Sequence, residues 1–385
     1  MLSPPDPMPS MVRAVAGFGL RNAVSARPLV PPADASPRSI VREIVEERVT
    51  GLALTAEDAG VLSLPAAHRD ELAQQHANAM LWALTLEREL VRITESLEDA
   101  GIPSVVLKGP AVANTMYPDP AWRSFGDLDL LVRAGDLTRV VEMLGARGFQ
   151  RRLPEPRAGF DERFGKGVEL RNASRVDVDL HRTLALGSFG IWLDPQALFE
   201  RTEPFALAGR KFRRLDNEAL LVHATLHAAL GSRYPRLVAL RDIAQIAETA
   251  RPDWGEVARL GRSWHAQVVI AAGLRAASSQ LGWRIPSEAE PLLKSTASRR
   301  ERRALAAYAR GTQRSDALAI ASLRAIKGFR AKGAFARAML LPSREFLAAR
   351  ASDRVSASYV RRWLSPLRRR LSPLRRLFRQ PWDGA

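Results

Sequence analysis

The run Gly126-Asp127-Leu128-Asp129-Leu130-Leu131-Val132 sets two carboxylates two residues apart inside a segment that otherwise has the composition of a buried strand. In an extended chain residues i and i+2 project from the same face, so Asp127 and Asp129 share one side. Like charges that close disfavour each other's ionised form unless a cation lies between them. Oxygen donors of this kind suit a hard divalent ion such as Mg²⁺, which keeps waters and substrate phosphates in its shell. The plainer reading is an exposed strand face with two surface acids. Gly126 before the first acid allows a tight turn or the close approach of a ligand to the backbone.

Two flanking segments extend the pattern. Upstream, Gly101 closes a long helical pattern, Ile102 to Leu107 read as a short apolar strand, and Lys108-Gly109 begins a turn. A lysine at the end of a strand, followed by glycine, suits a phosphate contact: the bare backbone admits the ligand and the ammonium balances its charge. Downstream, Arg175-Val176-Asp177-Val178-Asp179-Leu180-His181 alternates polar and apolar residues, which puts Asp177, Asp179 and His181 on one strand face. Strands carrying these residues are expected to converge on a single metal–phosphate site.

In this order, with Tyr117 and Arg123 between the first two segments, the chain resembles the uncharacterised bacterial nucleotidyltransferase family of the polymerase-β-like superfamily. Leu220-Leu221-Val222-His223 to His227, followed by Leu240-Arg241-Asp242, is similar to that family's helical second half. The likeness spans about residues 40 to 350. It implies an α+β fold, a small mixed β-sheet core flanked by helices and followed by a helical C-terminal half. It also implies a metal-dependent transfer of NMP from an NTP to a hydroxyl of a small molecule, peptide or protein. Asp127, Asp129 and Asp179 become the catalytic carboxylates and ligands of Mg²⁺ or Mn²⁺, and Lys108, Gly109, Arg123 and Gly126 the nucleotide and phosphate contacts. Two such ions, roughly 3.5–4 Å apart, would clamp the attacking and leaving oxygens. Asp179 could then accept the hydroxyl proton, with Asp177, His181 and His227 on the substrate side. The resemblance has one departure. The superfamily's Gly-Ser pair, whose hydroxyl contacts phosphate, is replaced here by Gly109-Pro110, and Lys108 or Arg123 is expected to stand in for it.

The remaining chain divides by pattern. Residues 1–37 are rich in Pro and Ala, lack a basic-then-apolar signal layout and are expected to be disordered. Residues 38–215 form the core with its amino-terminal helices. Ile40, Ile44 and Val45 lie on a short helix, and Leu72, Met80, Leu84, Leu90, Ile93 and Leu97 on a long one over about 66–100. Asp136 is placed to cap a helix over 137–147 that Gly148 ends. Residues 168–170 and 176–180 read as a hairpin, and 211–215 as a last edge strand. Asp216 caps the first helix of a helical region, 216–350. There His223 and His227 share a face at i and i+4, more in keeping with packing or substrate contact than with a metal, since no third ligand follows.

Residues 351–385 form a basic tail. Arg361 to Arg379 holds eight arginines and no acid, and Leu364-Ser365-Pro366-Leu367-Arg368-Arg369 recurs seven residues later. Three readings stay open: a solvated basic end, a contact with an anionic membrane surface, or one with another polyanion such as nucleic acid. The surplus of 58 Lys and Arg over 41 Asp and Glu favours polyanions without naming one. The chain has no cysteine, which excludes disulfides and Cys-ligated metal sites and fits a cytoplasmic setting, at the inner membrane surface if the tail binds lipid. No run of about 18 apolar residues calls for a transmembrane segment. Besides an active enzyme, two alternatives remain: a catalytically degenerate nucleotide-binding or partner-binding protein, and a basic adaptor recruited through its tail.

Overall fold

The computed structural model describes residues 10–21, 36–232, 234–309 and 314–352. Seven strands, β1 Ser104–Val106, β2 Leu128–Val132, β3 Gln150–Arg151, β4 Gly167–Arg171, β5 Asp177–His181, β6 Thr202–Leu207 and β7 Arg210–Leu215, form one mixed sheet in the order β3-β4-β5-β2-β1-β7-β6. β2 runs parallel to β5 and β1 parallel to β7, while the other neighbours are antiparallel. Among the described residues four helices precede the sheet: α1 Ser10–Gly17, α2 Pro37–Glu46, α3 Thr50–Asp58 and α4 Ala66–Asp99. Between the strands lie α5 Pro110–Met116, α6 Leu137–Ala146, α7 Phe160–Arg163, α8 Ser188–Trp192 and α9 Pro195–Glu200. The helical half follows as α10 Asn217–Gly231, α11 Leu237–Ala250, α12 Trp254–Ser263 and α13 Gln267–Leu281. It continues through α14 Glu290–Leu293, α15 Arg299–Tyr308, α16 Arg314–Ala325, α17 Phe329–Leu340 and α18 Arg344–Ser352.

Strand alternation sorts the core into two layers. Leu128, Leu130 and Val132 of β2, with Val178 and Leu180 of β5, pack on one face with Leu86, Leu90, Ile93 and Leu97 of α4 and Val140 and Leu144 of α6. Val105 and Leu131 point to the opposite face, where they join Leu220, Leu226, Leu240 and Ile243 of α10 and α11. Asp129, Asp179 and His181 share the parity of Leu131 and therefore face the helical half. The site thus lies between the sheet and α10–α11.

Several expectations change. Residues 10–21 belong to the stretch expected to be disordered, yet Met11, Val12, Val15 and Ala16 form the buried stripe of α1. The buried Arg241 ties this helix down by donating from Nη1 to the carbonyls of Ala16, at 2.9 Å, and Phe18. Residues 1–9 and 22–35 lie outside the described residues, as does the basic tail from 353. β7 is not an edge strand, because β6 pairs outside it through the two-residue turn Ala208-Gly209, both at positive φ as a type I′ turn requires. Pro204 obscures β6 in the sequence but is tolerated at a sheet edge. Leu84, placed on the apolar stripe of α4, is 61% exposed. Asp136 sits at the start of α6 without making a side-chain cap, whereas Asp216 accepts from the Ala219 N–H at 2.9 Å.

Candidate active site

Beyond β1 the chain passes through Leu107 to Lys108 and Gly109. Gly109 has φ +50° and ψ −115°, a conformation glycine adopts at little cost and other residues seldom adopt, and it turns the chain into α5. Lys108 then reaches Asp129 of β2, Nζ to Oδ1 at 2.8 Å. The same oxygen meets Nε2 of His181 on β5 at 2.7 Å. Asp129 is only 3% exposed, so the second acid of the motif is not on an open strand face. Burial alone would raise its proton affinity, but Lys108 and His181 outweigh that and hold the carboxyl well below the usual carboxylate range.

His181 is buried, and burial with the Lys166 charge lowers it to about 4 against the pull of Asp129. The neutral ring donates Nε2–H to Asp129, which leaves Nδ1 as a buried acceptor with no hydrogen-bond partner among the described residues.

Asp179 stands opposite Asp129 in the parallel β2–β5 ladder. Burial first, then the Asp129 charge, push it up to about 7 despite Lys166. Asp127, just before β2, is also raised by burial and then by Asp129, with Lys108, Arg48 and Arg123 opposing. The three carboxylates, Lys108, Gly109, Arg123 and His227 line one cavity of about 610 Å³. Asp129, Asp179 and His181 each present one donor atom, all within 4.8 Å of one another. Two carboxylates and an imidazole, with a third acid adjacent and one carboxyl raised by burial and then by its neighbour, are a donor set that a divalent cation relieves and therefore fit Mg²⁺ or Mn²⁺.

The remaining site candidates part company. Asp177 lies at the outer end of β5, where Arg171 pairs with it by two 2.6 Å hydrogen bonds, and does not line the cavity. Arg123, expected at phosphate, donates from Nε and Nη2 to Asp242 of α11 at 3.1 and 2.8 Å, and Tyr117 donates to the same carboxylate at 2.8 Å. All three are buried, so this pair fastens the approach to β2 onto the helical half. The space over Gly126 is taken by Arg48, whose Nη2 would lie 3.0 Å from an added Cβ. His223 is buried and His227 lines the cavity; burial lowers both, His227 to about 3, so both rings are neutral.

Three cavity-lining cations were not foreseen: Arg48, Lys166 and Arg236. Lys166 had a legible signal, because Lys166-Gly167 repeats the Lys-Gly pattern of 108–109 at the opposite end of a strand. Arg48 and Arg236 had none; they sit in a helix connection and before a helix, positions defined only by packing.

Residues 34–282 match the sequence profile of the uncharacterised nucleotidyltransferase family. The chain belongs to that family. Among solved structures, this nucleotidyltransferase is similar to an antigenic nucleotidyltransferase-like protein from Paracoccidioides brasiliensis, 15% identical over 53% of this chain and 95% of that chain, with a TM-score of 0.33. No curated protein matches the chain. No helix among the described residues of this nucleotidyltransferase is long and apolar enough to cross a membrane.

Proposed function

We propose that the protein transfers a nucleoside monophosphate from an NTP to a hydroxyl acceptor. The observation that carries this reading is the Asp129–Asp179 pairing inside a cavity shared with Asp127 and Lys108. In the reaction the acceptor oxygen bonds to the α-phosphorus, the bond to the pyrophosphate oxygen breaks, and the hydroxyl proton passes to a base. Asp179 is placed to be that base, since it stands opposite Asp129 in the strand ladder and lines the cavity. Asp127, Asp129 and Asp179 would hold Mg²⁺ or Mn²⁺, and the ion, when bound, would offset phosphate charge and polarise the α-phosphate. Lys108 and His181 keep Asp129 ionised and oriented, and Lys166 adds positive charge beside Asp129 and Asp179.

The test is incubation of the purified chain with each of the four NTPs, Mg²⁺ and a cell extract, followed by pyrophosphate assay and mass spectrometry of acceptors. Adducts of nucleotide mass that vanish in Asp129→Asn support transfer. A second reading, nucleotide binding without transfer, is favoured by Pro110, which removes an N–H donor from the first turn of α5. Binding of NTP with no pyrophosphate release under any condition would select it. The basic tail, 361–379, lies outside the described residues; we propose it as a separate recruitment element for an anionic membrane or other polyanion.

A further inference from the structure

The cation that completes the phosphate site is expected at Lys108 or Arg123, but both are engaged, Lys108 with Asp129 and Arg123 with Asp242. Arg48 and Arg236 also line the cavity, and neither makes an ion pair or side-chain hydrogen bond among the described residues. They are 188 positions apart and are brought together by Glu47. Its carboxylate accepts from the Leu237 N–H at the start of α11, and its carbonyl accepts from the Val238 N–H at 3.4 Å. The first turn of α11 is thereby capped by the residue preceding Arg48, which seats the two guanidiniums on one wall of the cavity.

Two further observations indicate that Arg48 is placed for a ligand. Its backbone has φ +58° at the C-terminal end of α2, where glycine is the least costly residue. Its guanidinium lies over Gly126 beside Asp127 without a carboxylate hydrogen bond. Two guanidiniums on one wall of the cavity, near Asp127 and Glu47 but hydrogen-bonded to neither, leave their N–H donors open to an anion between them.

We propose that Arg48 and Arg236 clamp the β- and γ-phosphates of the NTP, taking the place of the hydroxyl contact that Gly109-Pro110 cannot supply. The assignment rests on the nucleotidyl-transfer reading, and it makes the site selective for triphosphates over monophosphates. Guanidinium contacts of this kind contribute enough that losing one should weaken binding by about tenfold or more.

The full chain should be titrated calorimetrically with ATP, AMP and inorganic tripolyphosphate, each with Mg²⁺. Arg48→Gly removes the guanidinium while suiting the positive φ, so it should melt no lower than wild type. Arg236→Ala, Arg48→Lys and the exposed control Arg42→Ala complete the set. The clamp is supported if Arg48→Gly and Arg236→Ala each weaken ATP and tripolyphosphate by about tenfold or more, leave AMP unchanged, and Arg48→Lys is intermediate. Wild-type affinity in both variants, or equal loss with Arg42→Ala or for AMP, overturns it. Tripolyphosphate binding that survives in wild type while Asp127→Asn leaves ATP affinity and Mg²⁺ dependence unchanged would keep the clamp and remove the metal-dependent transfer reading. A wild-type protein that binds neither triphosphate removes both.

Discussion

Asp129 faces Asp179 across a parallel strand pair, and the two differ in charge state: Lys108 and His181 keep Asp129 ionised, while burial and the Asp129 charge push Asp179 up to about 7. A divalent ion binding both must expel the Asp179 proton. Mn²⁺ affinity should therefore rise from about pH 6 to about pH 8 and level off above, with release of roughly one proton per ion at the lower pH. Calorimetry in buffers of different ionisation enthalpy measures that proton directly. Asp179→Asn should abolish the pH dependence and weaken binding at least about tenfold. Identical pH profiles for the two proteins would remove Asp179 from the ligand set.

The same raised carboxyl has a consequence for stability without metal. An unfolded aspartate titrates near pKa ~3.9, so between about pH 4 and about pH 7 the folded state holds more protons at this position than the unfolded one. The contribution of Asp179 to stability is full below that window and is lost as pH rises through it. Asp179→Asn should be more stable than wild type at about pH 8 and differ little at about pH 4, read from melting curves across pH. A variant less stable than wild type at the higher pH contradicts the assignment. Added Mg²⁺ should stabilise wild type at the alkaline end and have little effect on the variant.

Asp242 is the sole carboxylate hydrogen-bonded to the buried Arg123 among the described residues, and it also accepts from Tyr117. Asp242→Ala leaves a guanidinium without its counter-charge inside the protein, a change that costs about 3–5 kcal/mol. Tyr117→Phe loses one hydrogen bond and should cost about 1 kcal/mol. Urea denaturation separates the two. Equal, small effects would mean that the pair is not what joins the sheet to α11.

The eight arginines of 361–379 should hold the chain on anionic vesicles or heparin in a salt-dependent way, since charges beyond a Debye length of about 8 Å at physiological ionic strength are screened. Deleting residues after Tyr359 should reduce retention at low salt and leave Mn²⁺ binding intact. Retention equal to wild type at low salt would end the recruitment role.

Alternation made the site legible. The period-2 pattern in 127–132 puts Asp127 and Asp129 on one face, and that in 175–181 does the same for Asp177, Asp179 and His181; the choice of Asp179 came from the family resemblance, and the pairing of the two strands from the structure. The hairpin over 168–180 and the expected convergence of Lys108 with the acids followed from local signals together with the family resemblance. What stayed hidden depends on contacts between distant segments. Arg123 lines the cavity, but its pairing with Asp242, 119 positions away, has no local signal. Arg48 and Arg236 have no pattern of their own, and only the capping of α11 by Glu47 brings them to the cavity. The amino end misled for a different reason. Its prolines and alanines suggest disorder, while the short stripe of α1 is stabilised by burial against α11 and α13 rather than by helix propensity.

Gly167 tests how far the acids depend on the hairpin that carries one of them. A Cβ at this position would lie 1.9 Å from the carbonyl oxygen of Leu180, backbone on the facing strand that cannot swing aside. Gly167→Ala must therefore push β4 away from β5 at the point where β5 delivers Asp179 and His181, and where Lys166 enters the cavity. The overpacking should cost about 1–3 kcal/mol or more. Because the separation occurs beside the ligand set, Mn²⁺ affinity should fall even at temperatures well below the melting point. Gly60→Ala, at a positive-φ glycine with open space around it, is the control for strain away from the site and should melt lower while binding Mn²⁺ as wild type does. If Gly167→Ala binds Mn²⁺ normally while melting lower, the β4 edge supports the fold alone and the geometry of Asp179 is set by β2.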